Sequence, residues 1–96
     1  MLLAQKEVRN FATADFDIRM DIAAQVASRR EKLGYTTQRF AEALNGTEGI
    51  SVTEEALLDV EQGIAFEGSH DVACAALIAL ERLETIRAGK AHLSLI

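Results

Sequence analysis

Residues 29–44, RREKLGYTTQRFAEAL, and residues 51–63, SVTEEALLDVEQG, decide the fold of this chain. Each segment contains a short run of apolar residues at helical spacing, and a Thr precedes each run. Thr36 or Thr37 predicts the start of the first helix, and Thr53 predicts the start of the second. The two segments therefore predict two short helices joined by a turn.

The inward face and the end of each short helix follow from the same segments. In the first helix the inward residues are Phe40, Ala41 and Leu44. The dipeptide Asn45-Gly46 predicts its end, followed by a loop from Gly46 to Val52. In the second helix the inward residues are Ala56, Leu57 and Val60. Gly63 predicts its end.

A longer helix is predicted before this pair, from Asp17 to Lys32. Ile18, Ile22 and Val26 recur every four residues and form an apolar stripe. The cations in its last turn, Arg29, Arg30 and Lys32, oppose the negative end of the helix dipole. Gly34 then predicts the stop.

The last helix is predicted from Ser69, as N-cap, to Ala88, with Gly89 as its end. Its middle, residues 72–80 (VACAALIAL), is apolar on nearly every side. Three other helices cover one side of such a helix, so a second copy of the chain is expected to cover the other. The residues expected in this dimer contact are Cys74, Leu77 and Ile78. The tail, residues 90–96, is expected to form an edge strand or to pack on the dimer.

These elements define an all-α bundle of four to five helices with a long apolar C-terminal helix. The expected organisation is an N-terminal arm or short helix over residues 1–16, a core over residues 17–68, and a C-terminal helix and tail over residues 69–96, which form the dimerisation element. The absence of Pro and the abundance of Ala and Leu agree with a helical chain.

The two deciding segments resemble the Cro/CI (Xre) family of helix-turn-helix proteins. The resemblance covers roughly residues 18–80, and the Glu-x-Gly ending in register with the Gly-x-Thr start makes it moderately specific. The matching positions are Arg30, Gly34, Tyr35, Thr36, Phe40, Ala41, Leu44, Thr53, Leu57, Val60, Glu61 and Gly63. The resemblance implies a lambda-repressor-like bundle whose second short helix enters the DNA major groove. It also implies that Glu61 holds backbone groups or an Arg of the first helix, with Arg30 as the candidate.

The family's DNA-binding positions correspond here to Thr37, Gln38, Arg39, Thr53, Glu54, Glu55 and Asp59. Arg29, Arg30 and Lys32 are candidate phosphate contacts. The chain departs from the family in three ways. It has Thr37 where the family often has Gln, its turn between the short helices is longer, and its base-reading positions are acidic.

Charge distribution leaves two functions open. The net charge is −5, and no Lys or Arg lies between Arg39 and Arg82. DNA affinity comes largely from neutralising phosphates, and base reading is mostly by Arg, Lys, Asn and Gln. The first hypothesis is a dimeric DNA-binding regulator, such as a repressor, a phage-type switch or an antitoxin. The second is a helix-turn-helix that binds a basic protein partner through its acidic helix.

Other classes are disfavoured. His70 and His92 lack ligand companions, and no metal spacing, phosphate loop or nucleophile–base pair is present, so neither an enzyme nor a cofactor is expected. No run reaches the length of a membrane span. The N-terminus has no signal-peptide pattern, and Cys74 is the single Cys, so a cytoplasmic location is expected.

Overall fold

The computed structural model of the protein describes residues 11–47 and 51–95. A short 3-10 helix, Phe11–Thr13, precedes four α-helices: α1 Phe16–Lys32, α2 Thr37–Thr47, α3 Glu54–Glu61 and α4 Ser69–Leu95. These two ranges contain no strand. The all-α class is therefore confirmed, whereas residues 1–10 of the arm or short helix predicted over residues 1–16 lie outside the described residues.

The core lies where α1, α3 and α4 pack against one another, with α2 packed against α3 and α4. Its largest fully buried apolar side chains are Phe11, Ile22, Val26, Phe40, Leu44, Leu57, Val60 and Leu80. Complete burial of one such side chain contributes roughly 1.5–3 kcal/mol relative to exposure. The inward faces predicted for α2 and α3 thus supply much of the core.

Helix α1 begins one residue before the predicted start and ends at Lys32 as predicted. Ile22 and Val26 of the predicted stripe are buried, but Ile18 is exposed. Phe16 and Met20 are exposed as well, so the core leaves several apolar side chains at the N-terminal end of α1 uncovered. The apolar spacing alone did not reveal where the neighbouring helices stop covering it.

Helix α2 starts after Thr36, whose hydroxyl Oγ1 accepts the N–H of Arg39 at 3.1 Å. The helix continues to Thr47, so the end predicted at Asn45-Gly46 is wrong. The amide of Asn45 has another task, because its Nδ2 donates to the carbonyl of Val52 at 2.7 Å and its Oδ1 accepts the N–H of Val52 at 2.6 Å. Asn45 therefore fixes the chain after the turn without ending the helix.

Helix α3 has the predicted cap and the predicted stop. The hydroxyl of Thr53 accepts the N–H of Ala56 at 3.1 Å. Gly63 has φ +75°, a left-handed conformation that glycine adopts without steric cost. A Cβ added to Gly63 would also lie 2.5 Å from Sδ of Met20. Glycine at this position allows both the turn and the close approach of α1.

Helix α4 differs from the prediction at both ends. Ser69 is not its N-cap but a buried residue of its first turn, and its Oγ accepts the N–H of Phe66 at 3.2 Å. The helix runs through Gly89 to Leu95, so the predicted stop and the predicted edge strand are wrong. Glycine costs only about 1 kcal/mol inside a helix, and a long helix tolerates one.

The C-terminal helix is long, but it is not an apolar helix along its length. The buried face between Val72 and Leu80 is covered by the chain's own elements. On the outer face Ile78 is exposed, while Glu81 and Arg82 beside it are polar and exposed. The uncovered apolar side expected from residues 72–80 is therefore narrow.

Candidate interaction surface

The structure brings the N-terminal ends of α2 and α3 together. The hydroxyl of Thr37 donates to Oε2 of Glu54 at 2.7 Å, across the turn between the two helices. Gln38 and Arg39, which follow Thr37 in α2, are exposed. Thr53, which precedes α3, is exposed as well. These residues, which the resemblance assigned to DNA binding, therefore lie on neighbouring helix ends.

Helix α3 presents what we call the acidic surface, formed by Glu54, Glu55 and Asp59. Glu54 and Glu55 are exposed and Asp59 is half-buried. Among residues 11–47 and 51–95, no ion pair reaches any of the three carboxylates. Their charges face solvent without neutralisation by Lys or Arg.

The side chain of Arg30 is buried, and its hydrogen bonds are made within the protein. Its Nε donates to Oε2 of Glu61 at 2.7 Å, its Nη2 donates to Oε1 of Glu61 at 3.0 Å, and its Nη1 donates to the carbonyl of Tyr35 at 2.6 Å. The side chains of Arg30 and Glu61 are only 10% and 7% exposed. The hydrogen bonds that Arg30 donates to the Glu61 carboxylate raise the pKa of Arg30. The pairing of Glu61 with Arg30 is thus present, and it occupies a guanidinium that was also a candidate phosphate contact.

Arg29 is held on the other side of α1. It donates through Nε to Oε2 of Glu84 at 2.8 Å and through Nη2 to Oε1 at 2.6 Å. This bidentate pair lowers the pKa of Glu84 and raises the pKa of Arg29. Of the candidate phosphate contacts, Lys32 is the exposed one without such a pair in the described chain.

The residues expected in a dimer contact lie on α4. Cys74 and Leu77 are half-buried against the core, and Ile78 is 51% exposed. Sγ of Cys74 lies 3.6 Å from Nε2 of His70, one turn earlier. Burial is the main cause that raises the pKa of the Cys74 thiol, and Asp71 adds to it. The thiol is therefore protonated at neutral pH, and a protonated thiol is a weak nucleophile.

The sequence did not single out Arg19, although it is central to the packing of α1 on α3. Its Nε donates to the carbonyl of Gly63 at 2.8 Å, and its Nη1 donates to the carbonyl of Ala14 at 2.5 Å. Glu84 was missed as well, and the sequence predicted only a helix end at Asn45. Arg19 did carry a sequence signal, since it is a cation near the start of a helix, where the dipole disfavours positive charge.

Comparison with known protein families, with curated proteins and with solved structures finds no match to this chain. The membership suggested by the Cro/CI resemblance stays a prediction from the sequence. Among the described residues, no group of three or more His, Cys, Asp or Glu is placed to hold a metal ion. None of the described helices combines the length and the apolarity needed to cross a membrane.

Proposed function

We propose that this protein is a helix-turn-helix binding module that receives a basic partner protein on its acidic surface. One observation carries the proposal: Glu54, Glu55 and Asp59 lie on the eight-residue helix α3 without an ion-pair partner in the described chain, while Arg29 and Arg30 are paired internally. A partner's Lys or Arg side chains complete the missing pairs.

The magnitudes favour a protein over DNA. An exposed ion pair contributes about 0.2–1 kcal/mol, and complementary charge also speeds association. The same three carboxylates beside DNA phosphates would oppose binding, whatever the base sequence of the DNA. Because two of the three candidate phosphate contacts are engaged inside the chain, few cations are left to offset that repulsion.

A DNA-binding regulator acting as a dimer is the second candidate. Its support is the pairing of Arg30 with Glu61, which the Cro/CI resemblance implied, together with the joined N-terminal ends of α2 and α3. Exposed Lys32 and Arg39, with the backbone N–H groups at the start of α2, would then contact phosphates. Repressor, phage-type switch and antitoxin roles all fit this candidate.

Binding to a fluorescent poly-lysine peptide and to a random-sequence DNA duplex, at low ionic strength, tests both candidates. The first variant removes the acidic surface as Glu54→Gln, Glu55→Gln and Asp59→Asn. The matched control removes the same charge elsewhere, as Glu31→Gln, Glu67→Gln and Glu81→Gln, at exposed positions. Fluorescence anisotropy reports both ligands.

We expect the first variant to weaken poly-lysine binding about tenfold, which is about 1.4 kcal/mol. The control is expected to weaken it by about threefold at most, because only the general attraction to a negative protein is reduced. Equal weakening in both variants contradicts the proposal. Salt-sensitive binding of the wild type to DNA, tighter than to poly-lysine, supports the regulator.

A homodimer through the outer face of α4 belongs to the proposal, with Ile78 at its centre beside Cys74 and Leu77. Sedimentation is expected to give a dimer for the wild type and a monomer for Ile78→Glu. A monomeric wild type removes the dimer from the proposal.

A cytoplasmic location is proposed too, and it rests on Cys74, which has no second Cys to pair with.

A further inference from the structure

Three exposed apolar side chains, Phe16, Met20 and Ile64, form what we call the apolar patch. They are 63%, 37% and 45% exposed. Met20 lies one helical turn after Phe16 on α1, on the same side of the helix. Met20 also lies against Gly63, the residue before Ile64. The patch therefore crosses from α1 to the segment that follows α3.

Arg19 joins the two halves of this patch. Its Nε donates to the carbonyl of Gly63, and its guanidinium carbon lies 5.9 Å from the centre of the Phe16 ring. Because the guanidinium also donates to the carbonyl of Ala14, its hydrogen bonds are directed into the protein. The arrangement holds the start of α1 beside the end of α3.

The apolar patch adjoins the acidic surface. The N–H of Ile64 donates to the carbonyl of Asp59 at 2.9 Å, and Glu55 lies one turn before Asp59 on α3. On α1, the exposed carboxylates of Asp17 and Asp21 follow Phe16 and Met20 in the sequence. An apolar area next to the carboxylates of α3 is complementary to a ligand that has an apolar face and basic side chains at its edge.

We infer that the partner docks as a basic amphipathic helix, whose apolar face covers Phe16, Met20 and Ile64 while its Lys or Arg side chains meet Asp59 and Glu55. The inference rests on the proposed function and specifies its partner. A second copy of this chain is a poor occupant of the patch, because the carboxylates of Glu55 and Asp59 beside it would then meet carboxylates of the other copy. Helix-in-groove recognition uses apolar anchors at the i, i+3, i+4 and i+7 positions.

The test compares three probes on the full chain. The first is a Lys/Leu peptide with its Leu residues on one helical face. The second has the same composition in scrambled order, so that it has no apolar face. The third is poly-lysine. The patch variant is Phe16→Gln with Ile64→Gln, and the control is Ile86→Gln, which removes an exposed apolar side chain from α4 outside both the patch and the proposed dimer contact.

We expect the amphipathic peptide to bind about tenfold more tightly than the scrambled one. The patch variant is expected to abolish this preference and to leave poly-lysine binding unchanged, while the control variant keeps both. Circular dichroism is used to check that each variant is folded. In heteronuclear NMR spectra of labelled protein, the amide signals of Met20 and Ile64 are expected to shift when the amphipathic peptide is added, and not when either other probe is added.

Each other outcome has a defined meaning. Equal affinity for the two peptides, or a preference that both variants lose alike, overturns the inference but leaves the proposed function standing. Absence of binding to all three probes removes the proposed function, and the inference with it. A wild type that sediments as a dimer and a patch variant that sediments as a monomer assign the patch to a second copy and overturn the inference.

Discussion

Arg30 and Glu61 form a bidentate ion pair between α1 and the last residue of α3, with Nε and Oε2 2.7 Å apart. The same guanidinium donates to the carbonyl of Tyr35, in the turn before α2. One side chain thus connects the first helix, the turn and the end of the third helix. This buried contact therefore ties α1 to the end of α3.

Removal of one partner of this pair should destabilise the fold strongly. Glu61→Ala leaves the guanidinium of Arg30 buried without its bidentate partner, and we expect a loss of about 3–5 kcal/mol in the free energy of unfolding. Urea denaturation measures the loss. Glu31→Ala is the control, because its exposed carboxylate lies 3.7 Å from Arg30 and should contribute less than about 1 kcal/mol. Equal losses in the two variants would show that the pair is not a structural connection.

Gly63 should tolerate a side chain less well than Gly34. Both residues have a left-handed φ, so Ala costs roughly 1–2 kcal/mol at each position. At Gly63 the new Cβ also meets Sδ of Met20, whereas at Gly34 it meets no atom within 4 Å. We expect Gly63→Ala to cost about 1 kcal/mol or more beyond Gly34→Ala.

The double variant Gly63→Ala with Met20→Ala separates backbone strain from steric contact. We expect its loss to be smaller than the sum of the two single losses, as measured by thermal or urea unfolding. Strict additivity would indicate that Met20 moves aside without cost.

Asn45→Ala should loosen the chain between α2 and α3. The N–H of Val52, a buried residue, loses its acceptor, and an unsatisfied buried donor costs about 1–3 kcal/mol. Hydrogen exchange at the Val52 amide is expected to accelerate more than exchange in α1. Gln38→Ala, at an exposed position of α2, is the control and should leave that amide protected. Unchanged protection in Asn45→Ala would mean that other contacts hold the turn.

The pair of Arg29 with Glu84 should make stability depend on pH at the acidic end. The hydrogen bond from Arg29 lowers the pKa of Glu84 below its ordinary value of 4.5 in the folded state. The folded state therefore binds fewer protons there than the unfolded state, so the contribution is fully present above pH 4.5 and is lost as pH falls through the lowered pKa. Both side chains are partly exposed, so we expect at most about 1 kcal/mol.

Glu84→Gln tests this contribution by urea denaturation at neutral and acidic pH. The difference from the wild type should be present at pH 7 and should vanish in acid. Glu67→Gln, which removes an exposed carboxylate outside this pair, should show no such dependence. A difference for Glu84→Gln that persists in strong acid would point to packing as its cause.

The sequence by itself determined the all-α class and the existence of the four α-helices found in the described residues. Capping and stopping are local events, so Thr53 and Gly63 marked the ends of α3 correctly. Helical spacing marked Phe40, Leu44, Leu57 and Val60 as core residues for the same reason. The excess of acidic residues in α3 was also evident from the sequence, because it depends only on which residue types are present.

Tertiary structure decided which polar side chains are available. Asn45, Ser69 and Gly89 resemble end signals in the sequence, yet the first two hold loop backbone and the third lies inside α4. The sequence gives no distance between Arg29 and Glu84, which are 55 residues apart, so their pairing could not be predicted. The apolar patch was hidden for the same reason, since it exists only where the start of α1 passes the end of α3. Local chemistry therefore specified the elements, and contacts between distant residues specified the surface.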